Sequence, residues 1–292
     1  MRLHRRVRLH AFIVAGCLFA VSAPAGAQIV NSLPDTVAPG REGWSGELTG
    51  ALRLQSGNND LEDIGGSGVV HFRSGIPCRW CLGRGITTHH VFLRAGGRWM
   101  EQGDHVVTAS TLAHLRYQYT PWVRVGLEGF TQYEHDQFRR IVGRALGGVG
   151  LRGYAFTTTR VDGLLGSAYL LERGVLSNLA GAPDAGAATW TQRSSNYALV
   201  SVRIAPAATF VVTGFVQPAI RDVEDARFLG DATLIIRASP WLMLRPSCSA
   251  AYDTRPPFGV ERLDRGFQTT IGLTLAMDID PDDQDDDETR EE

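Results

Sequence analysis

Four groups of residues in this chain have types and spacings that could support chemistry. Cys78-Arg79-Trp80-Cys81 is a paired-cysteine motif in a Gly- and Pro-containing segment. In an oxidising compartment such a pair closes a small loop disulfide, and with His89 and His90 it could hold a metal. A structural metal site normally shows a second pair at fixed spacing, and a redox motif opens a helix; the sequence offers neither. A Cys78–Cys81 disulfide is the leading reading, ahead of free thiols, and neither a metal nor another cofactor is expected. Glu134-His135-Asp136 groups two carboxylates with an imidazole, a set that can bind a divalent cation, although exposed loop polarity explains it as well. His114 or His135 could serve a serine nucleophile, but no Gly-x-Ser-x-Gly elbow is present. No catalytic residue is assigned; the chain reads as non-enzymatic, with a barrel-borne hydrolase as the alternative.

The fourth group is arginine, which supplies every basic residue of the chain. Arg94, Arg98, Arg116 and Arg124 fall on one polar face by alternation, and Glu128 is the nearby opposite charge in sequence. If that face lines an open, wet interior, the excess positive charge favours anions, small ions or solutes. If the interior is closed, the same groups form ion-paired plugs.

The elements that must position these residues have period two. Leu93 and Ala95 oppose Arg94 and Gly96; Leu115 and Tyr117 oppose His114 and Arg116; Val125 and Leu127 oppose Arg124 and Glu128. Near the end, Ile271, Leu273 and Leu275 oppose Thr270, Gly272 and Thr274. Segments of about ten residues, apolar on one side and polar on the other, mark strands of a transmembrane barrel. Twelve strands are expected, near 43–56, 61–74, 87–101, 106–119, 122–133, 139–153, 161–172, 194–204, 208–218, 227–239, 241–253 and 266–277. The Pro-containing turns at Pro121, Pro206 and Pro240 follow strands four, eight and ten, whereas the long connections 174–193, 219–226 and 254–265 follow odd strands. That parity suits a barrel with both termini on one side. The connection 75–86 breaks it. Trp44, Tyr117, Tyr119, Trp122, Tyr154 and Trp241 fall near one set of strand ends, and Trp99, Tyr133, Tyr252 and Phe267 near the other, as two interfacial girdles would require. The expected fold is all-β, a single closed antiparallel transmembrane barrel; a soluble periplasmic sandwich, with the same apolar residues buried between sheets, is the alternative.

The chain's start and end fit an exported protein. Arg2, Arg5, Arg6 and Arg8 precede an apolar run and then Ala25-Gly26-Ala27, the order of a secretory signal peptide covering 1–27. Val14-Ala15-Gly16-Cys17 offers a competing lipoprotein site. Residues 28–42 form a periplasmic lead-in and 43–277 the barrel. From Asp278 to Glu292 ten acidic residues and one arginine make a tail that cannot bury a core. The rest of the mature chain is slightly basic, without the basic, aromatic-interleaved stripe of a nucleic-acid binder.

Three ordered stretches carry a family resemblance: Gly43-Trp44-Ser45-Gly46-Glu47-Leu48 with Ser56-Gly57-Asn58-Asn59-Asp60; Tyr133-Glu134-His135-Asp136-Gln137-Phe138 with Arg144 and Gly147-Gly148-Val149-Gly150; and Tyr252-Asp253-Thr254-Arg255-Pro256-Pro257-Phe258-Gly259-Val260 with Asp264. Together they resemble the YdiY-like salt-induced outer membrane proteins, domain-of-unknown-function family 481. The resemblance implies an outer-membrane barrel without an established activity, partnered by membrane lipid and the barrel assembly machinery. The acidic tail in place of a closing aromatic, and the Cys-containing insert, depart from the family pattern. Processing at Ala27 makes Gln28 the mature N-terminus, and mass spectrometry of exported protein should find it there. An acylated Cys17 would establish the lipoprotein instead.

Overall fold

The computed structural model describes residues 43–55, 61–75, 89–102, 105–121 and 124–277. The expected signal peptide, lead-in, Cys78–Cys81 disulfide and acidic tail lie outside them. The chain is a closed antiparallel barrel in which each strand pairs with its neighbours in sequence and the last closes on the first. The strands are β1 Gly43–Gln55, β2 Leu61–Ser74, β3 His89–Gln102, β4 His105–Tyr119, β5 Val125–Asp136, β6 Ile141–Thr157, β7 Val161–Leu176, β8 Ala188–Ala205, β9 Ala208–Pro218, β10 Ala226–Arg237, β11 Leu242–Asp253 and β12 Leu263–Met277. The end at Gly43 and Met277 is termed proximal, the opposite end distal.

Closure gives every strand two partners, so no edge is left to aggregate. The pleat then sends alternate side chains into and out of the ring. Leu93, Leu115, Val125 and Leu273 point outward and are exposed, as the alternation predicts. Two face-to-face sheets are excluded by the closed ladder. Trp44, Trp99, Tyr117, Tyr133, Trp241 and Phe267 also stand on the outside near strand ends. Tyr154 does not. Tyr154 shares the parity of inward Arg152 and packs against the core, and a bulge between Tyr154 and Phe156 then turns Phe156 outward.

The largest difference from the expected boundaries is at β7 and β8. Arg173 and Gly174, read as a loop, pair with Trp190 and Thr189, and the Arg173 guanidinium lies 5.8 Å from the centre of the Trp190 ring. The connection shrinks to 177–187. Cross-strand pairing outweighs the turn propensity of glycine here.

The interior has two chemistries. Leu164, Tyr197, Leu199, Val211, Phe215, Leu229, Ile235 and Ala251, from β7 to β11, form one apolar cluster inside the ring. The inward positions of β2 to β6 are mostly charged or polar. At the seam Glu47 lies across Gly272, where a Cβ would collide with it. From there its carboxylate takes two bonds from Arg245 of β11, at 2.7 and 2.5 Å. The apolar half makes an inside–outside test direct. Leu199 is 1% exposed and Leu115 43%, so Leu199→Ala should cost about 2–5 kcal/mol in urea titrations of the folded barrel and Leu115→Ala markedly less. Equal costs would mean both faces pack on protein.

Candidate functional site

The residues with chemical potential are gathered in the lumen, and the pleat sorts them. Arg94, Arg98, Arg116 and Glu128 all point inward, from β3, β4 and β5. Arg124 does not join them: it precedes β5 and is exposed at the proximal rim. Arg203 and Arg237, on the same polar face by alternation, are likewise exposed at strand ends. Arg98 is paired with an acid that sequence proximity did not suggest. It donates to both oxygens of Asp63 on β2, at 2.8 and 2.7 Å, the fork-to-fork geometry that makes guanidinium–carboxylate pairs strong. Arg94 stands beside it, half-buried, between Val69 and His114 in the ladder.

Arg116 and Glu128 form a buried pair at 3.4 Å. Phe130 supports the guanidinium from below, its ring centre 5.0 Å away. The Phe130 ring can lie flat because Gly148 opposite it has no Cβ to meet it. On β7, the next strand round, Gly166 does the same for Tyr197: a Cβ there would collide with the tyrosine ring. Laid over Gly166, Tyr197 of β8 reaches along the inner wall past β7 and β6 and donates its hydroxyl to Glu128 of β5 at 3.0 Å. A second bridge lies distally. Arg227 of β10 donates to Glu172 of β7 at 2.7 Å and to Asp253 at 3.1 Å, and Arg193 of β8 reaches Asp225 at 2.9 Å. Arg144 and Glu134 pair at 2.5 Å.

Between the bridges remains a cavity of about 30 Å³ bordered by His114, Arg116, Gln132, Arg144, Glu172 and Arg227. That is room for about two water molecules. Inward side chains from β4 to β10 crowd the bore at this level.

The other candidate groups are separated by the same pleat. His89 faces outward, bonded to the Tyr117 hydroxyl at 2.7 Å. Its neighbour His90 faces inward, bonded to His71 at 3.1 Å and Gln118 at 3.2 Å. Adjacent strand residues cannot point at one ion, so the two histidines do not form a joint metal site. Glu134-His135-Asp136 was expected in a turn, but β5 runs on to Asp136. Glu134 and Asp136 are therefore buried inside, while His135 bonds the Val142 carbonyl at 2.9 Å on the outside. His114 bonds Gln132 at 3.2 Å. Neither histidine that could have served a nucleophile is bonded to a serine. Sequence reasoning missed Tyr197, Glu172, Arg193 and Arg227. The last three sit at or just beyond the expected strand ends, and Tyr197 reads as one more apolar-face residue until its partner across the ring is known.

The distal mouth is clasped across its width. Arg140 adopts φ 62°, a left-handed backbone that costs a non-glycine residue about 1–3 kcal/mol. Its guanidinium bonds Asp184 at 2.8 Å, the Phe258 carbonyl at 2.8 Å and the Ser177 carbonyl at 3.2 Å. Asp184 in turn accepts the Phe258 N–H at 2.8 Å. Three connections (β5–β6, β7–β8 and β11–β12) are thereby tied together. Arg255 ties the β9–β10 connection through Asp222 at 2.5 Å.

No family model matches the sequence, and no curated protein matches it. Among solved structures, the chain is similar to the translocator domain of the autotransporter NalP from Neisseria meningitidis, at 11% identity and a TM-score of 0.47, covering 84% of this chain and 92% of that one. It is also similar to the NanC porin, at 10% identity and 0.44, covering 80% and 100%. For the KdgM porin the figures are 8%, 0.40, 80% and 99%. These are likenesses of fold.

The clasp has a pH signature. The Phe258 N–H, followed by Arg140, holds the Asp184 carboxyl below its ordinary value of 3.8. A depressed carboxyl stabilises the folded loop above the ordinary value and loses that contribution as pH falls through the lower, folded one. Protease cleavage within 177–187 should be constant from pH 7 to 5 and rise only below about 3.8. Asp184→Asn should raise cleavage already at pH 7. Unchanged cleavage in that variant would show that the clasp does not hold the loop.

Proposed function

We propose that the chain is an outer-membrane barrel with a permanently filled lumen, a structural or envelope component in place of an open diffusion pore. Its natural solvent is lipid. Large apolar side chains stand exposed around the ring, among them Leu48, Val70, Leu93, Leu115, Leu127, Val149, Leu165, Val212, Phe267 and Ile271. Such a continuous belt suits hydrocarbon and would be an association hazard in water. The export signal expected at 1–27 and the ordered motifs of the YdiY-like salt-induced family support the same location and the same family assignment. Assembly by the barrel machinery is part of this reading.

The observation that supports the closed state is the pair of long-range contacts inside the ring, each spanning three strands, Tyr197 to Glu128 and Arg227 to Glu172. Anion-leaning permeability would require both to part. Parting them would leave buried charges without their present partners, so an opened bore would be a rare state. Purified protein in planar bilayers should therefore show no steady current. Tyr197→Ala with Glu172→Gln removes both bridges and should produce brief openings that prefer anions, because Arg116, Arg144, Arg193 and Arg227 remain. Steady anion-selective conductance in the wild type would overturn the closed reading and establish the permeable one.

A further inference from the structure

One patch on the outer wall is polar where its surroundings are apolar. Ser167 of β7 is the ladder partner of Asn196 of β8. Its hydroxyl donates to Asn196 Oδ1 at 2.8 Å, and Asn196 Nδ2 donates to the Ser194 hydroxyl at 3.0 Å. The patch lies at mid-height, since β7 runs from Val161 to Leu176 and β8 from Ala188 to Ala205. Exposed Leu151, Leu165 and Val216 surround it, while the outward Ala198 and Gly214 leave the wall low beside it. Among the described residues no other strand turns an amide outward at mid-height.

A carboxamide has two N–H donors and two acceptor lone pairs on its oxygen. The intrachain network uses one of each. In hydrocarbon neither water nor a lipid headgroup reaches the remainder, and an unpaired polar group there costs several kcal/mol. A partner must bring both a donor and an acceptor to the same depth. A second copy related by a two-fold axis along the membrane normal meets that condition by symmetry, because the amide is self-complementary. Small neighbours let the two walls approach closely, as in other membrane interfaces. We propose that the β7–β9 wall is a homodimer interface, closed at its centre by Asn196 bonded to Asn196 of the partner subunit. This rests on the reading of the wall as embedded in lipid.

Subunit counting by single-molecule photobleaching in lipid vesicles, across a range of protein-to-lipid ratios, tests it. Heat-modifiable gel migration first establishes that the barrel is folded and inserted. Wild type should dimerise, and Asn196→Leu should weaken the dimer about tenfold, the equivalent of two membrane-embedded hydrogen bonds. Leu48→Ala, on the opposite side of the ring, should leave it unchanged. Inserted wild-type barrels that stay monomeric, or that pair instead with a different membrane protein, would overturn the homodimer and leave the membrane reading intact. So would an undiminished dimer in Asn196→Leu. A barrel that does not insert would overturn both.

Discussion

A guanidinium buried inside the ring must find a carboxylate or another acceptor. Much of the interior architecture follows from that requirement. The charge cannot be neutralised by deprotonation, and dry burial of an unpaired ion costs several kcal/mol. The barrel meets the demand across the ring as well as along it. Arg98 takes its acid from the next strand and Arg245 from two strands away, at the seam. Arg227 takes Glu172 from the far side of two intervening strands. Arg152, buried near the proximal end, stacks 5.6 Å from the centre of the Tyr154 ring and donates to its hydroxyl at 3.2 Å.

Pairs that cross the ring also fix its shape. A twelve-stranded ring is wide enough to admit water if its inward residues are short. Here many inward residues are long arginines, glutamates and aromatics, and they bond one another over two and three strands. Glycines at 148 and 166 make this possible by letting the Phe130 and Tyr197 rings lie flat on the wall. The apolar half from β7 to β11 packs against the polar half, and Tyr197 belongs to both: its ring to the cluster and its hydroxyl to Glu128. The mouth is closed by the same means, with the strained Arg140 backbone offset by three guanidinium bonds. On the proposed reading, these contacts and the clasp together hold the barrel shut.

The outer wall obeys the opposite rule. The pleat that sends arginine inward sends leucine, valine and aromatics outward, and lipid, unlike water, accepts them without cost. Asn196 and its two serines stand out because the outer solvent offers them nothing. A polar group inside the ring has many possible partners; one on the lipid face has only another protein.

The sequence by itself determined the class of fold, the number of strands and which face of each strand is polar. These depend on local alternation and turn chemistry, which need no knowledge of distant partners. Leu93, Leu115, Val125 and Leu273 could be placed outside on that ground alone. Tertiary structure decided the rest, because pairing is set by distance across the ring and not along the chain. Asp63 is thirty-five residues from Arg98 and Glu128 sixty-nine from Tyr197; no local pattern links them. Strand ends were also a tertiary matter. The extension of β5 to Asp136 split Glu134 from His135, and the bulge after Tyr154 turned Phe156 outward. Whether the lumen was open or filled was undecidable from alternation, which gives the direction of a side chain but not what it meets at the axis.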